Sequence, residues 1–190
     1  MPRRRINFSP GHYYHLYNRG HNRQTIFFET DNYLFFLRQF RHHVAAATVD
    51  VIAYCLMPNH YHFLICLRGD DLSEKMGRLS LSYTKAINKR LQRCGALFQG
   101  PFQSIHVNRQ EYLLNLSRYI HLNPVKAGLV QRPEDWEFSS YPEYLELRRG
   151  TLPRFSEIQQ QAGGARAYQS FVEAENRLMP LTVQRLMLDE

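Results

Sequence analysis

The sequence predicts an α+β fold with one antiparallel sheet that carries helices on one face. Segments of strand composition and segments with apolar residues at helical spacing follow one another in the order β-α-β-β-α-β-α. The second and third strands are separated only by Met57-Pro58-Asn59, a connection short enough for an antiparallel pair. Both observations fit the split βαβ, ferredoxin-like pattern, which leaves the other sheet face uncovered for a site.

The first half of the chain is predicted to form a strand, a helix and a strand hairpin. Residues His12 to Tyr17 have strand composition and stop at the turn signal Asn18-Arg19-Gly20. Asp31 can cap a helix from about Asn32 to Ala47. Its apolar residues at core spacing are Leu34, Leu37, Phe40 and Val44. The hairpin strands are Val49 to Leu56 and His60 to Leu67.

The second half is predicted to add a long helix, a strand, a third helix and a helical extension. The long helix runs from Leu72 to about Arg93 and stops before Gly95. A strand from Phe102 to Val107 precedes a helix from Arg109 to Leu122, in which Leu113, Leu116 and Ile120 are apolar. Beyond residue 150 we expect one further helix, from Ala165 to Leu178.

Charge is unevenly distributed along this chain of 190 residues, whose formal net charge is +7. Residues 1–132 contain 18 Lys and Arg against 7 Asp and Glu, whereas residues 133–190 contain 6 against 10. A strongly basic body is what a phosphate-backbone partner requires. On charge alone, a soluble basic protein without such a partner fits about as well.

Composition argues against membrane and disulfide-rich classes. No apolar run approaches the ~18 residues of a membrane span, and no apolar signal core follows the basic N-terminus. We therefore expect a cytoplasmic protein with no membrane partner. Cys55, Cys66 and Cys94 show neither disulfide nor zinc-site spacing, so we expect free core thiols.

A histidine pair at the start of the third strand is the first candidate site. His60 and His62 are two residues apart, so on a strand their side chains project from the same face. Neutral imidazoles bind divalent transition metals, and together with oxygen donors they also bind Mg²⁺ or Mn²⁺. The buried strand that follows would hold the pair rigidly, but two ligands need a third donor from elsewhere. His-x-His alone is more often structural than metal-binding.

Tyr119 and Asn123 in the third helix are the second candidate site. They are four residues apart and share a helix face. Pro124 biases Asn123 away from the helical conformation, which places the pair at a helix end. Asn123 offers an amide oxygen as a hard ligand, and a tyrosine can attack phosphorus to form a phosphotyrosine ester. The alternative is a tyrosine that merely packs against the sheet.

Further basic residues have the pattern of phosphate contacts. Lys85, Lys89 and Arg93 repeat every four residues along one stripe of the long helix. Near the N-terminus, aromatic residues are interleaved with Arg3, Arg4, Arg5, Arg19 and Arg23. Aromatic and arginine side chains together suit single-stranded nucleic acid, because bases stack while the backbone charge is neutralised.

Two segments resemble the signatures of the single-tyrosine HUH transposases, and more closely those of the REP-associated tyrosine transposases. They are Tyr54-Cys55-Leu56-Met57-Pro58-Asn59-His60-Tyr61-His62 and Tyr119-Ile120-His121-Leu122-Asn123-Pro124-Val125-Lys126-Ala127. Shorter segments similar to that branch are Asn18-Arg19-Gly20, Phe98-Gln99-Gly100 and Ser139-Ser140-Tyr141. The likeness covers about residues 10–145, with the motifs in the expected order.

The resemblance implies a metal-dependent enzyme that nicks and transfers single-stranded DNA near hairpins. Tyr119 matches the nucleophile that remains on the 5′-phosphate, His60 and His62 match the metal histidines, and Asn123 matches the third ligand, where many relatives have glutamine. The cofactor would be a divalent ion, Mg²⁺ or Mn²⁺. The catalytic domain would span residues 1–148 and a C-terminal helical extension residues 149–190. The protein would act as a monomer or a homodimer.

Two other functions stay open at this point. One is a non-catalytic single-stranded nucleic-acid-binding protein on a ferredoxin-like fold, although the sequence shows no RNP-type strand. The other is a metal-dependent hydrolase without a covalent step. The acidic tail is expected either to compete with DNA for the basic body or to brace the fold through a helix that includes Tyr168, Phe171 and Val172.

Overall fold

The computed structural model describes residues 8–108 and 111–174. Its sheet contains β1 (Tyr13–Arg19), β2 (Val49–Met57), β3 (His60–Leu67) and β4 (Gln103–Val107). The strand order is β2-β3-β1-β4, and every neighbouring pair is antiparallel. The predicted ferredoxin-like α+β fold is therefore confirmed, with β3 and β1 as the central strands.

Six α-helices accompany the sheet in the described part of the chain. The three long ones are α1 (Thr30–Phe40), α2 (Leu72–Arg90) and α3 (Glu111–Lys126). The C-terminal part contains three shorter ones, α4 (Tyr141–Tyr144), α5 (Ser156–Ala162) and α6 (Ala165–Glu173). A π-helical turn extends α1 through residues 41–45. In the described residues no helix is long and apolar enough to cross a bilayer.

The first face of the sheet packs against α1 and α2 and forms an aromatic core. Phe40 stacks on Phe63 of β3 with ring centroids 4.0 Å apart, and both side chains are fully buried. The prediction that Leu34 lies in this core is wrong, because its side chain is 43% exposed. Tyr33 and Phe36 are buried instead, since α1 turns its aromatic stripe toward the sheet.

The second face of the sheet was expected to be uncovered, but the structure shows that it is covered. The helix α3 packs across it, and Leu113, Leu116 and Ile120 are buried there against β2 and β3. These apolar side chains would otherwise be exposed to water, so burying them stabilises α3 on the sheet. A site on this face therefore lies between the sheet and a helix.

The C-terminal ends of α3 and α2 differ from their predicted positions. The helix α3 continues past Pro124, because the carbonyls of Asn123 and Pro124 still accept backbone hydrogen bonds at 2.9 Å. Only one amide donor is lost at the proline, and packing outweighs the local bias. The helix α2 ends at Arg90, so Arg93 does not continue the stripe of Lys85 and Lys89.

The C-terminal extension packs on the same face as α3. Ile158 of α5 and Tyr168 and Val172 of α6 are almost fully buried in the second-face core. This burial supports the bracing role that was one of the two expectations for the tail. Among the thiols, Cys55 is buried and Cys94 is exposed, so the prediction of a core position is wrong for Cys94.

Candidate active site

The two histidines of β3 lie on the second face of the sheet, beneath α3. His60 and His62 are both buried, and their ring centroids are 4.9 Å apart. The alternate residues Tyr61 and Phe63 point into the first-face core. The strand therefore holds the imidazoles side by side on a backbone that is hydrogen-bonded along both edges.

Each imidazole has its Nδ1 atom occupied by a neighbour. His62 Nδ1 lies 2.9 Å from Nε2 of His15 in β1, and His60 Nδ1 lies 2.6 Å from Oδ1 of Asn59. Both Nε2 atoms are buried and have no hydrogen-bond partner among the described residues. A buried polar atom without a partner is costly, so two adjacent ones suggest that a ligand completes them.

The helix α3 brings the predicted nucleophile to the same place. The buried ring of Tyr119 meets the His62 ring edge-on, with centroids 5.5 Å apart. One turn later, Asn123 is fully buried and donates from Nδ2 to the Tyr119 carbonyl at 3.0 Å. Its Oδ1 atom has no hydrogen-bond partner in the described part of the chain.

The three predicted ligands suit a divalent cation chemically. Two imidazole nitrogens and one amide oxygen form a donor set that accepts Mg²⁺, Mn²⁺ or a transition metal. No group of three or more His, Cys, Asp or Glu side chains that could hold a metal occurs in residues 8–108 and 111–174. A cation at the histidine pair would therefore need an oxygen such as that of Asn123.

Burial keeps both histidines in the form that binds metals. Desolvation, helped by the nearby charge of Arg19, lowers the pKa of His60 to about 4. The pKa of His62 lies well below its ordinary value, mainly through desolvation and then through His60 and His15. Both imidazoles are neutral near pH 7, and neutral imidazole has the lone pair that a metal needs.

Arg19 lies beside the histidine pair. It pairs with His60 across β1 and β3, and its guanidinium Nε donates to the side-chain oxygen of Gln99. The backbone N–H of Gln99 also donates to the Arg19 carbonyl at 2.9 Å. Gly20 is required at the bend that follows, because a Cβ there would lie 1.9 Å from the Gln24 carbonyl oxygen. The segments Asn18-Arg19-Gly20 and Phe98-Gln99-Gly100, which are far apart in the sequence, thus meet next to His60.

The remaining predicted phosphate contacts are spread over other surfaces. Arg23 is exposed, and its backbone carbonyl accepts a hydrogen bond from the side-chain amide of Asn59, the residue before His60. Lys85 and Lys89 are exposed on α2, in the helical layer behind the first face. Arg93 lies over the Phe28 ring at 5.7 Å, and Arg3, Arg4 and Arg5 lie outside the described residues. Their roles as DNA contacts stay predictions.

Two residues at the site were missed from the sequence. His15 is fully buried and stacks on His62, with ring centroids 5.1 Å apart. Lys126 places its ammonium 5.2 Å from the centroid of the Tyr119 ring. The two-residue spacing from His15 to Tyr17 and Arg19 was visible, but only the pairing of β1 with β3 shows that His15 meets His62.

A buried polar network anchors α3 behind the site. The Tyr168 hydroxyl donates to Ser117 at 2.9 Å and lies 2.7 Å from His121 Nδ1, while His121 Nε2 lies 2.8 Å from the Ser140 hydroxyl. Burial lowers the pKa of His121 to about 3. Arg118 donates to the carbonyls of Phe171, Val172 and Ala174 at the end of α6. The extension therefore fixes the helix that carries Tyr119.

Comparison with known proteins gives consistent matches. The family model described as "Transposase IS200 like" matches residues 9–123. A putative REP-associated tyrosine transposase of Haemophilus influenzae is 27% identical over 103 residues, which cover 48% of this chain and 58% of that protein. A REP-associated tyrosine transposase of Escherichia coli K12 is 28% identical over 109 residues, 55% of this chain and 60% of that protein.

The matched region spans about three fifths of the length of these curated relatives. A solved structure of a REP-associated tyrosine transposase bound to a REP hairpin superposes with a TM-score of 0.66. The match covers 82% of this chain and 96% of that one at 20% identity, so it supports the fold alone.

Proposed function

This chain belongs to the IS200-like transposase family, and from that premise we propose that it nicks and transfers single-stranded DNA through a covalent tyrosine intermediate. Hairpin DNA is the proposed target, since a relative of the same fold is bound to a REP hairpin. The proposal depends above all on one observation. A buried tyrosine packs against a histidine pair whose two Nε2 atoms have no hydrogen-bond partner among the described residues.

Tyr119 is the proposed nucleophile. Its phenolic oxygen loses its proton to solvent, attacks the scissile phosphorus and forms a phosphotyrosine ester on the 5′-phosphate. The bond from phosphorus to the 3′-oxygen breaks, and the leaving oxygen takes up a proton to give a free 3′-hydroxyl. In the joining step, a 3′-hydroxyl attacks the phosphotyrosine. A phosphodiester forms, the ester bond to Tyr119 breaks, and the phenol regains its proton.

His60, His62 and Asn123 are the proposed ligands of a divalent cation. The buried atoms that fit this role are the two Nε2 nitrogens and the Asn123 oxygen, none of which has a hydrogen-bond partner among the described residues. A cation bound there would polarise the scissile phosphate and stabilise the charge that develops on it. Asn123 also donates to the Tyr119 carbonyl, so the ligand and the nucleophile are held in one helical turn.

Two positive charges beside the site would assist the same reaction. The Lys126 ammonium lies 5.2 Å from the centroid of the Tyr119 ring, where it would stabilise negative charge that develops during the attack. Arg19 is oriented by Gln99 next to His60, where its guanidinium can contact a phosphate oxygen. We propose that Arg19 binds the DNA backbone at the point of cleavage.

The experiment that tests this function follows the covalent adduct. A 3′-labelled hairpin oligonucleotide with a single-stranded flank is incubated with protein and Mn²⁺, and protein-bound label is measured on a denaturing gel. Tyr119→Phe should form no adduct, a loss of at least ~10³-fold, because no oxygen remains to attack. Its binding of the oligonucleotide should persist, since the ring is kept.

Two further variants complete this test. Tyr17→Phe is the matched control, because the Tyr17 ring also lies near His62, with centroids 6.4 Å apart. It should still form the adduct. His62→Ala should abolish cleavage with the fold retained. Cleavage by the wild type without any adduct would support a hydrolase instead, and binding without cleavage would support a binding module.

A further inference from the structure

We infer that His15 is a positioning residue that fixes the tautomer and orientation of His62 at the metal site. The inference rests on the proposed function, since it concerns the same cation. His15 is fully buried on the middle of β1, and its Nε2 lies 2.9 Å from His62 Nδ1. The two rings stack with an interplanar angle of 22°, so each limits the rotation of the other.

The hydrogen bond between the two rings allows only one arrangement of protons when His62 binds a metal. A metal at His62 Nε2 uses the lone pair of that nitrogen, so the ring proton of neutral His62 is on Nδ1. Nδ1–H then donates, and His15 Nε2 accepts. His15 must therefore keep its own proton on Nδ1. With its proton on Nδ1, His15 holds His62 in the tautomer that presents Nε2 to a cation.

His60 gives an independent parallel for this reading. Its Nδ1 lies 2.6 Å from the side-chain oxygen of Asn59, and the amide nitrogen of Asn59 is occupied separately by the Arg23 carbonyl at 3.4 Å. An amide oxygen can only accept, so His60 also has its proton on Nδ1 and its lone pair on Nε2. Both histidines of the pair are thus held in the same tautomer, one by a loop residue and one by His15.

The position of His15 follows from strand register. Tyr17 lies directly opposite His62 and His15 directly opposite Leu64, so His15 is a diagonal neighbour of His62 on the same face. Both strands are central in the sheet, where backbone hydrogen bonds on two sides restrict movement. His15 also meets the Tyr119 ring edge-on at 6.3 Å, so it contacts both the proposed ligand and the proposed nucleophile.

Amide substitutions separate the accepting role of His15 from simple packing. The Gln side-chain oxygen is as many bonds from Cβ as Nε2 of histidine, so His15→Gln can place an acceptor near His62 Nδ1. His15→Asn has the same amide one methylene shorter and cannot reach that point. His15→Leu fills the space without any acceptor. The three variants differ in the hydrogen bond more than in the apolar volume that they bury.

The test measures Mn²⁺ binding to the full chain without DNA, by the loss of the free-ion electron paramagnetic resonance signal. We expect His15→Leu and His15→Asn to weaken Mn²⁺ affinity by about 10- to 100-fold, and His15→Gln to stay close to the wild type. Thermal unfolding without metal checks that each variant is folded. Equal affinities for His15→Gln and His15→Asn would overturn the inference, even if His15→Leu failed to fold.

The same titration separates this inference from the proposed function. His62→Ala should lose the bound Mn²⁺ altogether. If it does, and His15→Leu binds as tightly as the wild type, the metal site stands and the role of His15 is wrong. If the wild type binds no Mn²⁺, or His62→Ala binds it equally well, the proposed metal site fails and the role of His15 fails with it.

Discussion

The two faces of the sheet have different contents although they are built from the same strands. The first face, toward α1 and α2, is an aromatic core, and the Phe40–Phe63 stack is typical of it. The second face, toward α3, holds His15, His60 and His62 in buried positions. Successive residues of a strand point to opposite faces, so stability and chemistry alternate along β3.

The two faces also differ in how their buried polar groups are satisfied. On the first face the Tyr83 hydroxyl donates to the Ile26 carbonyl at 2.7 Å, which is an ordinary way to satisfy a buried polar group. The first face also has one buried polar atom, the Tyr61 hydroxyl, without a hydrogen-bond partner among the described residues. The second face has two such ring nitrogens close together, on His60 and His62. The cost of burying polar atoms without hydrogen bonds is typically accepted where function requires it. The predictions below ask whether each face can be perturbed without affecting the other.

The largest expected effect comes from removing the outer layer of the second face. A chain that ends at Arg149 lacks Ile158, Tyr168 and Val172, which are buried against α3. Their burial is worth roughly 5–9 kcal/mol, comparable with the whole stability of a domain. Circular dichroism and light scattering should show an unfolded or aggregated protein.

The same truncation also tests competition between the acidic tail and DNA. If the acidic tail competes with DNA for the basic body, as the charge difference between residues 1–132 and 133–190 would allow, the truncated chain would instead stay folded and bind DNA more tightly, most visibly at low salt. A soluble, folded chain ending at Arg149 with higher DNA affinity would contradict the bracing role and support competition.

The next largest effect is expected from one substitution on each face, which should affect stability on the first face and cleavage on the second. Phe40→Ala should lower the free energy of unfolding by about 3–5 kcal/mol, since it removes a fully buried ring from the first-face core. At a temperature where the variant remains folded, its cleavage rate should be close to that of the wild type. His60→Ala should show the reverse, with stability nearly kept and cleavage lost. If both variants lose cleavage while folded, the faces are coupled.

A smaller effect is expected in the polar network behind α3. Tyr168→Phe removes the hydroxyl that lies 2.7 Å from His121 Nδ1 and leaves that nitrogen buried without its partner. The free energy of unfolding should fall by about 1–3 kcal/mol in urea titrations. The matched control is Tyr141→Phe, whose hydroxyl bonds Glu173 in a part-buried contact at 3.0 Å, and it should cost less. Equal losses in the two variants would argue against a special role for the network.

The smallest effect concerns where DNA lies. Affinity for single-stranded DNA is measured against salt, and each lost phosphate contact should flatten the log–log slope by about 0.7. Arg19→Gln should flatten it, because Arg19 lies beside His60. A double replacement of Lys85 and Lys89 by Gln should leave the slope unchanged, since both extend from the layer behind the first face. A flatter slope in the double variant would show instead that Lys85 and Lys89 contact DNA.

Some features of the site could be predicted because they depend on short-range periodicity. His60 and His62 share a face for any strand, and Tyr119 and Asn123 share a face for any helix. The misplacement of Leu34 shows the limit of such reasoning. In α1, Leu34 and Leu37 have helical spacing, and so do Tyr33 and Phe36 on a neighbouring stripe. Periodicity finds both stripes, and only packing decides which one is buried.

The order of elements, the ferredoxin-like class, the family and the donor atoms offered by β3 and α3 could all be predicted from the amino-acid sequence. The tertiary structure decided that α3 crosses to the second face and brings Tyr119 to His62. It also decided that β1 lies beside β3, which brings His15 to His62 across 47 residues of chain. The physical reason is that backbone periodicity acts within one element, whereas the choice of neighbours depends on burying apolar surface from the whole chain.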